Sequence, residues 1–478
     1  MLRRTKIIAT IGPASESSTS LRAMMEAGMD VARLGLAHGT LEEHLSRYHR
    51  IRDAAKHFGH PIGILVDLPG PKVRTGLLPE AGVELAEESL IKLVPGNEAS
   101  HSELLHIEYD DLLSDVQVGD RLTFGDGAIV VEIVDKDGSA LHASVVHGGM
   151  LRGRPGVHIP ADRLRLASPT REDLRLLDAF IEQDVDMVAI SFVRSAHDVR
   201  RVGTECWPRG PLVVAKIETH TAVENLEGII EAAGAIMVAR GDLGSECPIE
   251  ELPHLQKEII RQCIAHGRPA ITATQMLESM VEAATPTRAE ASDVANAVFD
   301  GSSALMLSAE TAIGHDPINA VRTMARIALR ADQEFDYTAW GHNLSRMRMA
   351  AGKEETQAIT DTMTMAAWRA ATELNATAII CLTRTGFTVR SMARFRPAAQ
   401  ILGFTPSERV VRQLSLSWGA RPIFLPELTT TNETVQRAVA FAREAGHVRS
   451  GDLIAVLAGA DQKTKQATDL LHLIRVMP

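Results

Sequence analysis

Eight short apolar runs recur along the chain: Lys6–Ile11, Met29–Leu34, Ile62–Asp67, Met187–Ser191, Leu212–Ile217, Ala235–Val238, Ala270–Ala273 and Ala304–Leu307. Each is four to six residues long with little internal alternation. Such runs predict strands buried on both faces, as in a parallel sheet. Helical spacing fills most of the gaps. Leu21, Met24 and Met25 share one face before a stop at Gly28. Thr40-Leu41-Glu42-Glu43 is a capping box, followed by a face of Leu41, Leu45, Tyr48 and Ala55. Leu174, Leu177 and Ile181 mark another helix face, as do Leu255, Ile259, Cys263 and Ile264. Eight strands alternating with helices predict an α/β protein built on a (β/α)8 barrel of the TIM type.

Two stretches break the alternation. Residues 71–156 carry β signals of their own: Leu141, Ala143 and Val145 alternate with His142 and Ser144, and turns fall at Pro95-Gly96, Asp126-Gly127 and Asp137-Gly138. This predicts a β lid, a small β-barrel domain, inserted after the third strand and splitting the barrel into 1–70 and 157–335. Polar sequence from Trp340 to Glu355 reads as a connection. A C-terminal α/β domain, 336–478, follows. Its first helix is marked by Ile359, Met363, Ala370 and Leu374, and its strands by Ala378–Leu382, Gln400–Thr405, Pro422–Leu425 and Leu453–Leu457.

Composition narrows the function classes. The 478 residues predict about three domains. A net charge of −11 argues against a nucleic-acid partner. No apolar run approaches the ~18 residues of a membrane helix, and the apolar stretch before Gly12-Pro13 is too short for a signal-peptide core. Cys206, Cys247, Cys263 and Cys381 form no CxxC pair, which fits a reduced, cytoplasmic compartment better than a disulfide or zinc framework.

In such barrels the active site lies where strands end. Arg33, Asp67, Ser191, Arg194, Lys216, Glu218, Arg240, Gly241, Asp242, Thr274, Gln275, Ser308 and Glu310 all end or follow strands. Taken singly, each reads as an ion pair, a cap or a solvated rim residue. Their convergence at one end of seven strands is what points to chemistry. Lys216 and Glu218, two apart on a strand, face one side. Glu218 and Asp242 offer hard oxygen ligands for Mg2+ or Mn2+. Lys216 adds positive charge against a phosphoryl group in flight, and Arg33 and Arg74 are suited to phosphate oxygens. The site fits a phosphorylated small molecule whose reaction builds charge on oxygen, an enolate or a transferring phosphoryl group.

Several of these residues sit in longer stretches, and the chain as a whole resembles the pyruvate kinase family through them. They are Arg4-Thr5-Lys6 through Ile11-Gly12-Pro13-Ala14-Ser15, Ala27 through Leu34, Val238-Ala239-Arg240-Gly241-Asp242-Leu243-Gly244, Ala273 through Met280, Pro286 through Glu290, Ser292 through Val298, and Met306 through Ala312. The resemblance implies a barrel, a β lid, a C-terminal regulatory domain and phosphoryl transfer from phosphoenolpyruvate to ADP. It further implies a phosphate-binding Arg33, a Lys216 that stabilises the transferring group, metal ligands Glu218 and Asp242, and substrate contacts at Gly241 and Thr274. Arg74, His38, Asp126 and Arg154 match the nucleotide side, and Ser308 a hydroxyl proposed for proton delivery. A homotetramer is implied too.

Three departures stand out. Where the family reads Arg-Leu-Asn-Phe-Ser-His-Gly, this chain has Arg33-Leu34-Gly35-Leu36-Ala37-His38-Gly39, without the side-chain oxygens that help bind K+. Asp67-Leu68-Pro69-Gly70-Pro71-Lys72 carries Lys72 in place of Glu and Leu68 in place of Thr, as in the K+-independent lineage. The reading is that Lys72, with Asp67, replaces the monovalent cation and that K+ is not required. The ending Ala458-Gly459-Ala460-Asp461-Gln462 lacks the usual Gly/Thr-rich pattern. Thr383, Arg384, Thr385, Gly386 and Thr388 still resemble a phosphate-cradling loop for a phosphorylated effector. Competing readings are an enolate-stabilising, metal-dependent lyase on a similar barrel, and a non-catalytic regulatory paralogue.

Overall fold

The computed structural model describes residues 3–125, 129–160, 163, 166–202, 210–346, 355–426, 430–459 and 467–477. Its centre is a closed ring of eight parallel strands in sequential order: β1 (Lys6–Thr10), β2 (Val31–Gly35), β3 (Gly63–Asp67), β4 (Met187–Ile190), β5 (Leu212–Ile217), β6 (Ala235–Ala239), β7 (Ala270–Ala273) and β8 (Ala304–Leu307). Every residue of β3, β4, β6, β7 and β8 is buried. That is why these runs lack alternation: one face fills the barrel and the other lies under helices. Ile8, Val31, Leu65, Met187, Val214, Met237, Ile271 and Met306 pack the interior.

The helix starts follow the sequence signals. Thr40 and Glu43 form the reciprocal capping box, and the Gly28 N–H closes the helix Ser18–Ala27 on the Met24 and Met25 carbonyls. The buried face of Leu41–Lys56 is His44, Tyr48, Ile51 and Ala54, while Leu41 is exposed. His44 is 1% exposed, its imidazole buried against the barrel wall. Burial lowers its pKa, and the Arg47 charge adds to this. A histidine lowered on folding stabilises above its unfolded value of 6.5 and loses that contribution as pH falls below it. Melting temperature should therefore drop faster between about pH 7 and about pH 5.5 in the wild type than in H44L. Parallel curves would refute this role.

The insert forms a six-stranded sheet, Val157–His158, Arg121–Phe124, Ile129–Lys136, Leu141–His147, Leu90–Pro95 and Leu104–Ile107 in spatial order, and a two-stranded sheet of Val83–Leu85 with Gly149–Leu151. The two sheets share one core, in which Leu85, Leu93, Leu122, Val131 and Leu151 meet. Among the described residues only the eight-stranded ring closes.

The C-terminal sheet runs β11 (Ala420–Phe424), β10 (Gln400–Thr405), β9 (Ala378–Leu382), β12 (Leu453–Ala458), β13 (Leu470–Arg475). The antiparallel edge strand β13 was not expected, because it is half exposed and reads as mixed sequence. One other expectation fails: a helix, Tyr337–Arg346, occupies part of the presumed connection. The expected first helix is present as Glu355–Glu373, and it buries Thr360, Asp361, Thr364, Ala367, Trp368 and Ala371, leaving Ile359 and Leu374 exposed. Asp361 faces inward because the buried Arg394 meets it at 2.8 Å. This domain docks on the barrel base. Leu416 joins the barrel-interior cluster, Arg412 Nε donates to Asp186 at 2.6 Å, and Gln413 donates to the Asp186 carbonyl at 3.1 Å. The C-terminal ends of the barrel strands lie at the opposite end.

Candidate active site at the barrel mouth

The strand register sets Gly35 beside Asp67, so β2 and β3 end level with one another. The Arg33 guanidinium donates to Asp67 Oδ2 at 2.8 Å and to Thr10 Oγ1 at 2.9 Å. A Cβ at Gly35 would lie only 3.5 Å from Arg33 Nη2. The guanidinium thus lies within ordinary contact distance of the Gly35 position, where the chain offers no side-chain oxygen.

Lys216, near the end of β5, is 9% exposed. Its ammonium donates to Ser191 Oγ at 2.8 Å and lies 2.7 Å from Glu218 Oε1 and 3.6 Å from Asp67 Oδ1. Burial pulls the Lys216 pKa down, but Asp67, Glu218 and Asp242 outweigh it and hold it above its ordinary value. Burial pushes Asp67 up, and Lys216 and Arg33 reverse this, so it stays ionised below the usual range. Glu218 is fully buried and accepts from the Phe192 N–H at 2.6 Å. Burial raises its pKa, Lys216 works against that, and the nearby Asp242 charge raises it again. Two carboxylates that repel each other beside one ammonium form an oxygen donor set suited to a divalent cation. Asp242, in the first turn of the helix Arg240–Glu246, makes no side-chain hydrogen bond among the described residues, so its oxygens remain available.

Thr274 and Gln275 follow β7 with φ of 67° and 52°. Left-handed backbone at non-glycine residues costs roughly 1–2 kcal/mol each. Arg240 offsets it. It donates to the carbonyls of Thr274 at 2.7 Å and Gln275 at 3.2 Å, and binds Asp293 at 2.7 and 2.9 Å. Thr274 Oγ1 then accepts from the Gly241 N–H at 2.8 Å, locking two of the anticipated substrate contacts together. The Ser308 N–H donates to Glu310 at 2.6 Å, and the Leu277 N–H donates to the other Glu310 oxygen at 3.0 Å. The Ser308 hydroxyl is buried and has no hydrogen-bond partner.

At the outer mouth His38 lies near Arg74 and Lys72; burial lowers its pKa, and those two charges add to this. Lys72 is exposed, its stem over Gly156. Asp67 is contacted instead by Arg33 at 2.8 Å and Lys216 at 3.6 Å. Arg154 is held by Glu108, and Arg74 donates to the Arg154 carbonyl at 3.2 Å. His158 Nε2 meets Glu246 Oε1 at 2.8 Å, tying the lid to the helix that carries Asp242. Asp126 lies outside the described residues.

In the C-terminal domain the Gly386 N–H bonds Thr383 Oγ1 at 2.9 Å, and Thr385 accepts from the Phe387 N–H. Thr388 does not face outward as an effector contact would: it is 5% exposed and its hydroxyl is shared with Thr468 at 2.7 Å. Arg384 is exposed.

Sequence reading therefore placed Arg33, Asp67, Lys216, Glu218, Asp242, Gly241, Thr274 and Ser308 at one mouth. It missed Thr10 and Asp293. Asp293 lies within a motif that was noted, but nothing in the sequence says that it reaches Arg240. Arg240 turns out to build the Thr274 loop.

Residues 2–321 match the family described as pyruvate kinase, barrel domain, and 361–474 match its alpha/beta domain. The pyruvate kinase of Geobacillus stearothermophilus is 41% identical over 98% of this chain and 80% of its own. That of Clostridium acetobutylicum is 38% identical over 98% of this chain and 99% of its own. The crystal structure of a pyruvate kinase from Cryptosporidium parvum superposes with a TM-score of 0.89 at 32% identity, covering 99% of this chain and 96% of its own. Together with the buried lysine and carboxylates at the barrel mouth, these matches establish that the chain belongs to the pyruvate kinase family and is a phosphotransferase.

Proposed function

We propose that this mouth carries the pyruvate kinase reaction of glycolysis, in which the phosphoryl group of phosphoenolpyruvate passes to ADP to give pyruvate and ATP. The observation that supports it most is the Lys216 ammonium, immobilised by Ser191, Glu218 and Asp67 at the strand ends. A fixed, permanently charged donor in a low-dielectric site stabilises charge on a transferring phosphoryl group without reorganising. Arg33, clamped by Asp67 and Thr10, binds the substrate phosphate. Gly241, Asp242 and Thr274 form the substrate floor. The Ser308 hydroxyl, which has no competing partner, delivers the proton to the enolate. Arg74, His38, Arg154 and Asp126 serve the nucleotide. Glu218 and Asp242 hold the divalent cation, Mg2+ or Mn2+, which when bound neutralises developing charge on substrate oxygens.

The same reading makes K+ dispensable. Gly35 and Ala37 supply no side-chain oxygen for it, the Arg33 guanidinium lies against Gly35, and Lys72 adds a second tethered cation at the mouth. A unit charge 4 Å away opposes a bound cation by about 4 kcal/mol at an effective dielectric of about 20. The test is pyruvate formation from phosphoenolpyruvate and ADP with Mg2+, with and without K+. Turnover in both conditions is expected, and K72E should become several-fold activated by K+. Turnover only with K+ would sink the Lys72 role, and none in either would sink the reaction. A phosphorylated effector at Thr383–Gly386, a homotetramer and a cytoplasmic location complete the reading. R384A with unchanged effector activation, or a monomer mass by light scattering, would reject the first two.

A further inference from the structure

We propose a second metal site, for Zn2+ or a similar transition dication, formed by Glu227, Glu231 and His266 on the outer wall of the barrel. Glu227 and Glu231 lie four apart on the helix Leu226–Ala232, so both carboxylates project from one face. His266 ends the helix Leu252–His266, which packs beside it. Both helices flank β6 and run against the strand direction, so their C-terminal ends lie at the barrel base, away from the mouth. One ligand atom from each of the three side chains comes within 4.8 Å of the other two.

Two like charges four apart destabilise a helix by a few tenths of a kcal/mol unless a cation meets them. Arg268 does not meet them directly. Its guanidinium is spent on the Ile230 and Glu231 backbone carbonyls, at 3.3 and 3.1 Å.

The imidazole is what turns an acidic pair into a site. The His266 side chain is only 10% exposed. Its Nδ1 lies 2.9 Å from the Gln262 carbonyl, which takes the Nδ1 proton. That leaves the Nε2 lone pair free on the side of Glu227, and Nε2 is buried without a hydrogen-bond partner. It faces Glu227 Oε1 at 4.0 Å, too far for a hydrogen bond. A backbone carbonyl fixing Nδ1–H while Nε2 points at carboxylates is the arrangement of metal-bound histidines. Ligand bonds of about 2.0–2.2 Å place ligand atoms about 3.4 Å apart around a tetrahedral ion. Both glutamates are exposed and can close that difference by rotation. One imidazole with two carboxylates selects a transition dication over Mg2+. Occupied, the site staples the two helices on either side of β6, the strand that leads into Gly241 and Asp242.

The experiment is equilibrium dialysis of the full chain against Zn2+ near neutral pH, with excess Mg2+ to occupy the carboxylates at the mouth. We expect one Zn2+ retained per chain and a melting temperature raised by Zn2+. H266Q and the double variant E227Q/E231Q should bind about tenfold or more weaker and lose the thermal shift, with turnover in zinc-free buffer unchanged. The double variant alters only exposed groups, so it carries the test if H266Q does not fold. No retained Zn2+ would overturn the site. Equal retention by wild type and variants would overturn it too, placing the ion elsewhere.

Discussion

Replacing Lys216 by methionine should lower kcat by about 10²–10³-fold, the size seen when one preorganised donor to a developing charge is removed. The Michaelis constant for phosphoenolpyruvate should change far less, because Arg33 keeps its own anchors on Asp67 and Thr10. The variant also tests the structural side of the site. Taking one partner from a buried ion pair costs about 3–5 kcal/mol, and Lys216 faces two carboxylates. Asp67 retains Arg33, and Glu218 retains the Phe192 N–H, so the lower end of that range is expected. The pH dependence has a definite sign. Burial already raises Glu218, and losing the ammonium raises it further. A carboxyl raised in the folded state holds its stabilising proton below its unfolded value and loses it as pH rises through the folded value. The gap in melting temperature between wild type and K216M should therefore widen from about pH 5.5 to about pH 8. An unchanged kcat would remove Lys216 from the chemistry, and a gap that narrows with pH would reverse the electrostatic assignment.

What the sequence made legible follows from the same physics. Strands buried on both faces leave continuous apolar runs, and all eight barrel strands lie within a residue or two of where those runs place them. The mouth was legible because strand ends are the only places in such a barrel where charge is tolerated near the axis. Arg33, Asp67, Lys216 and Glu218 therefore had nowhere else to go. Partnerships between loops were not legible. That Arg240 would bind Asp293 and brace Thr274 depends on how the segments after β6, β7 and the helix Arg288–Asp300 meet in space. No periodicity encodes that. The helix Glu355–Glu373 was legible, but its buried Asp361 was not, because its pairing with Arg394 is a choice made by tertiary contact. The edge strand β13 was missed because half of its side chains face water.

The two carboxylates assigned to the divalent cation should behave alike in kinetics and differently in stability. E218Q and D242N each remove one hard, anionic oxygen ligand. Each should raise the Mg2+ or Mn2+ concentration for half-maximal activity by about 10–100-fold or more, since even outer-shell changes reach that range, and lower kcat on the order of 10²-fold. Their surroundings differ. Glu218 is fully buried, 2.7 Å from the Lys216 ammonium. A neutral amide there leaves Lys216 leaning on Asp67 at 3.6 Å and on Ser191, at a cost of about 3 kcal/mol. Asp242 is only partly buried and makes no side-chain hydrogen bond among the described residues. Its charge raises the Glu218 pKa, so D242N removes a repulsion. Without added divalent cation its melting temperature should equal or exceed that of the wild type, within the ±0.5 kcal/mol or so of an ordinary exposed substitution. Titration with Mn2+ followed by electron paramagnetic resonance, beside thermal unfolding in chelator, separates the two effects. If D242N melts as low as E218Q, Asp242 is holding the loop together and is not waiting for a cation. If either variant keeps wild-type Mn2+ affinity, that residue is not a ligand.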